Sequence, residues 1–301
     1  MNAPAALNLS CQQCSGALQV GRLDKTTTCP WCGSGNIVQR PPRPGMPAPS
    51  FVIGFTRTAD EVKQGVKAWA RRVGFWAPRA FRRLEVEQLK PVYVPAYLVS
   101  GVATGQWSAR VGYDYTEKQK RGDRTETVTR TEWHALRAPY SLRVHDLLIS
   151  ASQRISNDEL EQLEPFDLGR LARYSDAAIV GWPAEEPARA VDSVDDALMK
   201  EVVAALKPRL RALVPGERID DFTFTTQLLD PAFAAVLIPV WTMMVRYAEK
   251  QPRTRVLVNG QTGQVTGKVP TSWLKVTFAV LVAAVAIGAA IWWLSHHRGH
   301  R

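Results

Sequence analysis

The sequence has 301 residues, of which 46% are hydrophobic and 22% charged, so its apolar content is that of a folded chain and excludes overall disorder. Its four cysteines are too few for the disulfide framework of a small secreted protein. The net charge of +10 suits a nucleic-acid or anionic-membrane partner, but it is unevenly spread, with +7 in residues 40–90, −6 in residues 151–200 and only +1 in residues 1–39.

The four cysteines form two CxxC pairs, separated by fourteen residues, and the second pair reads Cys-Pro-Trp-Cys-Gly. Two such pairs can bring four thiolates around one ion, and zinc prefers this closed tetrahedral set of sulfurs. A thioredoxin-like redox motif needs a single pair in a βαβ unit, and a rubredoxin-like iron site normally has a longer gap. The spacing therefore predicts a small β zinc ribbon in residues 1–38, with iron or redox chemistry as the alternative. The predicted ligands of a structural Zn²⁺ are Cys11, Cys14, Cys29 and Cys32.

Residues 39–50 follow the predicted ribbon and contain five prolines in twelve positions. A segment this rich in proline is extended and semi-rigid. We therefore expect a linker that holds the ribbon away from the domain that follows.

The segment from residue 51 to residue 270 mixes helix and strand signals, which predicts an α+β body. Thr58 and Ser156 each begin a capping box, the sequence pattern of a helix N-terminus. Ser193 is expected to cap a third helix, which Pro208 would break or kink because proline lacks the N–H that the helix needs.

Two hairpins are predicted in this body. Threonine alternates with other residues over 125–131, directly after a charged turn, which is typical of an exposed hairpin. Asn259-Gly260 is a turn dipeptide after an apolar strand-like segment, and it predicts the second hairpin.

Residues 92–97 and 236–241 share a pattern of three apolar residues, a proline, an apolar residue and an aromatic residue. Each segment is too short to span a membrane, so we interpret both as buried strands with the proline at an edge or a bulge. Each also follows a helical stretch. The repetition suggests two related α+β halves, residues 51–150 and 151–270.

Lys63, Lys67 and Arg71 form a basic stripe on the first predicted helix, and four more arginines follow within twelve residues. A solvated helix face is the favoured interpretation. Contact with an anionic lipid surface is the first alternative, because we expect the chain to be tethered to a membrane. Nucleic acid is the second alternative.

Residues 276–294 form a run of nineteen residues without charge or proline. As a helix, this run would be about 28 Å long, enough to cross the hydrocarbon core of a bilayer. Trp273 precedes the run, and Trp292 and Trp293 lie at its end, as interfacial anchors do. We therefore predict one C-terminal transmembrane helix, followed by a short basic tail at 295–301.

The positive charge on the two sides of this span is balanced, with two basic residues shortly before it and two after it. The orientation is therefore inferred from the N-terminus, which lacks the features of a secretory signal, and from the reduced thiols that a metal site needs. Both indicate a single-pass, tail-anchored membrane protein with its body in the cytoplasm.

No motif in the sequence indicates catalysis. Residues 263–268 resemble a phosphate-binding loop, but three residues separate the glycines where four are needed, and Val269 follows the lysine in place of serine or threonine. His145-Asp146 is interpreted as a strand-end pair. Every cysteine is assigned to the metal, so we expect a non-enzymatic protein.

Six segments of the chain carry a resemblance to a known family. They are the cysteine pairs CxxC…CPxCG, FWAP at 75–78, VYVP at 92–95, EPFDL at 164–168, VLIPVW at 236–241 and VNGQTG at 258–263. Together they resemble a bacterial family of membrane proteins with a transcription-factor-IIB-type zinc ribbon, often labelled as similar to the primosomal helicase protein N-prime. The chain departs from the family at Tyr97, where relatives tend to have tryptophan, and at Gln264, where they tend to have lysine. The helicase label does not fit, because a helicase needs a phosphate loop and an acidic magnesium motif.

This resemblance implies a non-enzymatic, membrane-anchored protein, and some relatives look like partners of flotillin-like and phage-shock proteins in envelope-stress systems. We therefore expect an adaptor or scaffold that recruits a protein partner to the cytoplasmic face of the bacterial inner membrane. The alternative is a membrane-tethered zinc ribbon that binds nucleic acid, which the charge of only +1 in residues 1–39 disfavours. The oligomeric state stays open.

Overall fold

The computed structural model describes residues 7–20, 28–39, 41, 46–121, 124–179, 181–248 and 253–297. The predicted turn at Gly122-Asp123, the tail residues Arg298 and Arg301, and parts of the predicted ribbon and linker lie outside these residues.

The described chain has a mixed α+β fold, as predicted. Its helices are α1 (Ala59–Arg72), α2 (Asn157–Leu163), α3 (Asp195–Leu213) and α4 (Trp273–His297), and a short 3₁₀ helix spans Arg79–Arg83. Its strands are β1 (Leu7–Cys11), β2 (Ala17–Val20), β3 (Ile37–Gln39), β4 (Phe51–Ile53), β5 (Glu85–Arg121), β6 (Arg124–Ser150), β7 (Leu171–Arg173), β8 (Ala184–Glu185), β9 (Arg218–Arg246), β10 (Thr254–Asn259) and β11 (Val265–Gly267).

Two long strands, β5 and β9, form the centre of the sheet. They pair antiparallel from Glu85 opposite Arg246 to Gly112 opposite Arg218. On the other side of β5, β8 pairs beside Tyr93 and β6 pairs from Ala96 onwards. Beyond β9 the sheet continues through β10 and β11, and beyond β8 it continues through β2, β1 and β3.

The β5–β6 hairpin extends past the end of β9 as a two-stranded ribbon. We call residues 113–121 and 124–132 of this ribbon the hairpin arm. Thr125, Thr127 and Thr129 lie on β6 in this arm and are exposed. The exposed hairpin predicted from the alternating threonines is therefore confirmed.

Both proline-containing segments lie in the central strands, so the expected edge position is wrong. Tyr93 lies opposite Pro239, and Tyr93 N donates to Pro183 O (2.9 Å) on the side away from β9. Pro91 and Pro95 are each two residues from Tyr93, so their backbone groups point to that same side. The missing N–H groups therefore interrupt no hydrogen bond between β5 and β9. The relationship between the two halves stays a prediction.

Helices α1 and α2 begin as predicted. Thr58 and Glu61 form the capping box of α1, and Ser156 and Glu159 form that of α2. Helix α1 then buries its apolar side against β9 and β10. In the second predicted hairpin, β10 ends at Asn259, and β11 returns antiparallel beside it.

Helix α3 covers one face of β5, β6 and β9. Leu198, Val202, Leu206 and Leu210 recur every four residues and are at most 4% exposed. Their spacing places them on one side of the helix, where they pack against the sheet.

The start of α3 differs from the prediction, and the helix is not broken at Pro208. Ser193 Oγ donates to Ala190 O (2.7 Å), and Val194 is the residue at the N-cap. Pro208 lies inside the helix, which continues to Leu213. Buried leucines lie before and after this proline, so their packing outweighs the lost helical hydrogen bond.

Strands β1–β3 and the two CxxC loops form a unit that we call the cysteine module, residues 7–20 and 28–39. Leu18 of β2 lies opposite Glu185 of β8, and β8 pairs with β5. Leu18 and Trp31 belong to the same buried cluster as Val92 of the body. The expectation that the linker holds this unit away from the body is therefore wrong, because the module buries its apolar side chains on the body.

Helix α4 contains a 21-residue segment, Trp273–Trp293, whose most apolar 18-residue stretch has a mean hydropathy of 2.3 and is not buried. The predicted span at 276–294 coincides with this helix. By length and composition, α4 could cross a membrane.

Candidate metal centre

The four cysteine sulfurs lie together, each Sγ within 4.8 Å of the others. Cys11 Sγ is 3.6 Å from Cys32 Sγ, and Cys14 Sγ is 3.6 Å from Cys29 Sγ. These separations are too long for disulfide bonds of about 2.05 Å. They are close to the edge of about 3.8 Å expected when four sulfurs surround an ion tetrahedrally at about 2.3 Å. The cluster could therefore hold a metal ion.

The two CxxC loops share one backbone geometry. Cys11 N donates to Gly16 O (2.9 Å), and Ser15 N donates to Cys11 O (2.8 Å). The equivalent bonds of the second loop join Cys29 N to Ser34 O (2.8 Å) and Gly33 N to Cys29 O (2.9 Å). Ser15 has a φ of 55° and Gly33 has a φ of 78°. This left-handed region of backbone conformation favours glycine. Because the first loop has Ser15 where the second has Gly33, the sequence alone does not show that the two loops share one backbone geometry.

Backbone N–H groups of the loops donate to the sulfurs. Burial raises the pKa of the Cys11 thiol, but hydrogen bonds from the N–H groups of Cys14 and Gln13, together with those of the Cys32 and Cys14 side chains, outweigh it and lower that pKa from 9.0 to about 7. Burial dominates at Cys29 and raises its pKa, although N–H groups of Cys32 and Trp31 act in the opposite direction. These donors stabilise thiolates, the form of cysteine that binds metal.

Lys90 of β5 brings a positive charge to the cluster. Its Nζ donates to Thr28 Oγ1 (2.6 Å) and to Cys29 O (3.1 Å). Burial lowers the pKa of Lys90, and the sulfurs of Cys29 and Cys32 act in the opposite direction. Sequence reasoning missed this residue, because it lies 61 positions from Cys29 and no spacing rule connects the two.

The segment after β6 contacts both a buried carboxylate of β8 and the first CxxC loop. Glu185 of β8 is 3% exposed and accepts hydrogen bonds from Ser152 Oγ (2.7 Å) and Gln153 N (3.1 Å). The next residue, Arg154, donates from its guanidinium group to Cys14 O. Burial raises the pKa of Glu185 to about 7, against the opposing effect of the Ser152 and Gln153 hydrogen bonds and the Arg154 charge. The body thus contacts both CxxC loops.

Two of the segments on which the family resemblance rests form hydrogen bonds with each other. Asn259 is fully buried, and its Nδ2 donates to Leu163 O (2.9 Å) and Pro165 O (3.1 Å). Its Oδ1 accepts from Gln261 N (2.8 Å). The side chain of Gln261 in turn bonds the backbone N and O of Asp167. These side chains fasten the end of α2 to the loop after β10, which is a structural role.

The predicted basic stripe lies on α1, which is not part of the cluster that buries the cysteines. Lys63, Lys67 and Arg71 instead line an open cleft of ≈ 950 Å³ together with Arg82 and Arg83. The structure therefore separates the two candidate binding regions that the sequence singles out.

No protein-family model and no solved structure matches the chain. A protein of Bacillus subtilis (strain 168), named "Uncharacterized protein YdjG", is 24% identical over 233 residues. The matched region covers 76% of this chain and 66% of that relative, so the chain spans just under two thirds of the relative's length. This chain and the Bacillus protein are distant relatives.

Proposed function

We propose that this chain is a non-enzymatic, membrane-anchored adaptor that recruits a protein partner to the cytoplasmic face of the bacterial inner membrane. The family resemblance adds a partner of the flotillin-like or phage-shock type and a role in the envelope-stress response. Three features support the proposal: the cysteine cluster, helix α4 and the hairpin arm.

The cysteine cluster is proposed to bind a structural Zn²⁺, since four sulfurs in a closed set are the ligands that zinc prefers. Bound zinc would cross-link the two CxxC loops. Backbone N–H groups donate to the sulfurs of Cys11 and Cys29, and Lys90 would offset part of the negative charge of the thiolates. Because four protein ligands leave no open position for a substrate, the proposed role is structural.

Helix α4 is proposed to be the membrane anchor. Its beginning is fastened to the loop at 74–78, where Ser272 N donates to Trp76 O (2.8 Å). Lys275 Nζ also donates to Phe75 O and Ala77 O, both at 2.6 Å. These bonds would hold the body close to the bilayer. The cytoplasmic placement is supported by the reduced thiols that a cysteine metal site requires.

The observation that carries the recruitment proposal is the exposed hairpin arm. Within the described residues, β6 pairs only with β5, so its outer edge presents free backbone groups that can pair with another chain. Tyr113, Tyr115 and Trp133 at the base of the arm are 42%, 46% and 39% exposed. Arg110 lies over the Trp133 ring at 5.2 Å. Aromatic and arginine side chains are enriched at protein interfaces.

In-cell photo-crosslinking tests this proposal. A photoreactive residue replaces Tyr115 in one strain and Val203, a similarly exposed residue of α3, in the control strain. We expect a discrete protein adduct from position 115 that is absent from position 203. A second substitution, Trp133→Ala, should weaken that adduct without changing the amount of chain in the membrane. Equal adducts from both positions, or none from either, would contradict the proposal.

The same experiment separates the rival function. A nuclease-sensitive adduct at position 115 would favour a membrane-tethered protein that binds nucleic acid. Such binding would also weaken steeply as the salt concentration rises, because it depends on released counterions.

A further inference from the structure

An open cleft of ≈ 950 Å³ lies between α1 and the segment that follows it. One wall comes from α1 and the other from the 3₁₀ helix and the first residues of β5. Among the described residues, Glu85 is the one acidic residue that lines it. The basic lining residues are Lys63, Lys67, Arg71, Arg82 and Arg83.

Most of this positive charge is not neutralised. Lys63 Nζ is 3.4 Å from Asp60 Oδ1. Among the residues that the structure describes, the other four basic side chains form no ion pair or hydrogen bond. The three basic residues of α1 are four positions apart, and like charges at this spacing destabilise a helix. A bound anion would relieve that repulsion, so the cleft suits a negatively charged ligand.

The two walls of the cleft are fixed to each other. The ring of Trp69 on α1 contacts the ring of Phe81 on the 3₁₀ helix edge-on, with centroids 5.7 Å apart. Phe81 is fully buried. Buried aromatic packing therefore joins the two elements that form the walls of the cleft.

The loop that joins the two walls also contacts the start of α4. It exposes Phe75 and Trp76, which are 67% and 48% accessible. Lys275 donates to the backbone of this loop and lies 4.9 Å over the Phe75 ring. Trp273, at the first residue of α4, is 76% exposed. Exposed aromatic rings are typical of the membrane–water interface, so this loop lies where the helix would enter the bilayer.

We propose that the cleft binds the head group of an anionic phospholipid from the leaflet that α4 enters. Phe75 and Trp76 insert at the interface beside it, and Lys67, Arg71 and Arg82 contact the lipid phosphate. Arginine suits this role because its guanidinium group can donate two parallel hydrogen bonds to a phosphate. This inference rests on the proposed membrane anchoring by α4 and adds lipid selectivity to it.

Native mass spectrometry of the full-length chain in detergent tests the proposal, with phosphatidylglycerol or phosphatidylcholine added in parallel. The test variant is Lys67→Gln/Arg71→Gln/Arg82→Gln. The control, Lys118→Gln/Arg137→Gln/Lys207→Gln, removes the same charge from exposed positions elsewhere. Each cation near an anionic lipid surface contributes about a fivefold gain in affinity, so the test variant should bind phosphatidylglycerol at least about tenfold more weakly.

The expected result is a preference of the wild type and the control for phosphatidylglycerol, which the test variant lacks. Equal binding of the two lipids by the wild type, or an equal loss in both variants, would overturn the proposal. Displacement of the lipid by inorganic phosphate would indicate a soluble phosphate site instead. Tight binding of an oligonucleotide by the wild type, lost only in the test variant, would indicate nucleic acid as the ligand.

Flotation of the three proteins with phosphatidylcholine vesicles separates this inference from the proposed anchoring. All three should float, because α4 is unchanged in each. A chain that does not float contradicts the membrane anchor itself. Chains that float but show no selectivity contradict only the lipid site.

Discussion

Lys90 Nζ donates a hydrogen bond to the backbone oxygen of Cys29 at 3.1 Å, across 61 positions of the sequence. The bond joins the central strand β5 to the second CxxC loop. Arg154 makes the equivalent connection to Cys14 of the first loop. The cysteine cluster is thus held between two cationic side chains of the body, and its stability should be linked to that of the body.

Replacing Lys90 with glutamine should weaken metal binding and folding together. The variant loses a charged hydrogen-bond donor, a change that typically costs about 1–3 kcal/mol. Chelator competition and thermal unfolding of the full-length chain measure the two effects. Lys268→Gln, which removes the same charge at an exposed position, should change neither. Equal effects of the two substitutions would show that only overall charge matters.

Glu185 should make the protein less stable as the pH rises. Its pKa is raised by burial from 4.5 to about 7, so the folded state binds this proton more tightly than the unfolded state does. The stabilisation by the bound proton is complete below pH 4.5 and is lost as the pH rises through about 7. The total change is at most about 3 kcal/mol.

Glu185→Gln resembles the protonated carboxyl and has no charge to titrate. Its free energy of unfolding, measured from pH 5 to pH 8, should therefore fall less than that of the wild type. Both proteins contain the same cysteines, so the contribution of the cysteines cancels when the two free energies of unfolding are subtracted at each pH. Parallel pH curves would contradict the assignment of the raised pKa to Glu185.

Asn259→Ala should destabilise the body by about 2–4 kcal/mol, because it leaves buried backbone groups without partners. Those groups are the carbonyl oxygens of Leu163 and Pro165 and the N–H groups of Gln261 and Thr262. Chemical unfolding measures the loss. Gln264→Ala changes an exposed side chain of the same loop and should stay within about 0.5 kcal/mol of the wild type. A neutral Asn259→Ala would show that the loop is not fastened to α2.

Pro208→Ala should stabilise α3, because it restores a backbone N–H inside a continuous helix. We expect a gain of roughly 1–3 kcal/mol in the free energy of unfolding. Lys207→Ala, at a neighbouring exposed position, serves as the control and should be nearly neutral. If Pro208 instead broke the helix, which is one of the two outcomes predicted from the sequence, the alanine substitution would bring little or no gain.

Local patterns of the sequence were sufficient for several features of the fold. The cysteine spacing predicts the cluster, because four thiols in two short loops can meet without help from the rest of the chain. The capping boxes at Thr58 and Ser156 and the apolar run of α4 are likewise readable within a few residues. Ser193 shows the limit of such patterns, since its side chain bonds backward to Ala190 and does not cap α3.

Features that depend on distant residues were not predictable in this way. The prolines of residues 39–50 indicate a spacer, but Leu18 pairs beside β8 and packs on the body. The prolines of the central strands indicate an edge, but their backbone groups point away from the β5–β9 pairing, which only the register reveals. Lys90 and Arg154 contact the CxxC loops from positions that no motif marks.

Removal of the metal tests most directly whether the cysteine module is part of the body. The measurement is hydrogen–deuterium exchange of the full-length chain in detergent, with and without a zinc chelator, after elemental analysis has confirmed the bound metal. Tyr93 N donates to Pro183 O beside β8, and β8 pairs with β2. When the metal is removed, the amides of Tyr93 and of β2 should therefore lose protection from exchange, while the amides of α3 keep their protection. Cys29→Ser should reproduce this pattern. Faster exchange confined to residues 7–39, with Tyr93 unchanged, would contradict it and show that the module is an independent unit.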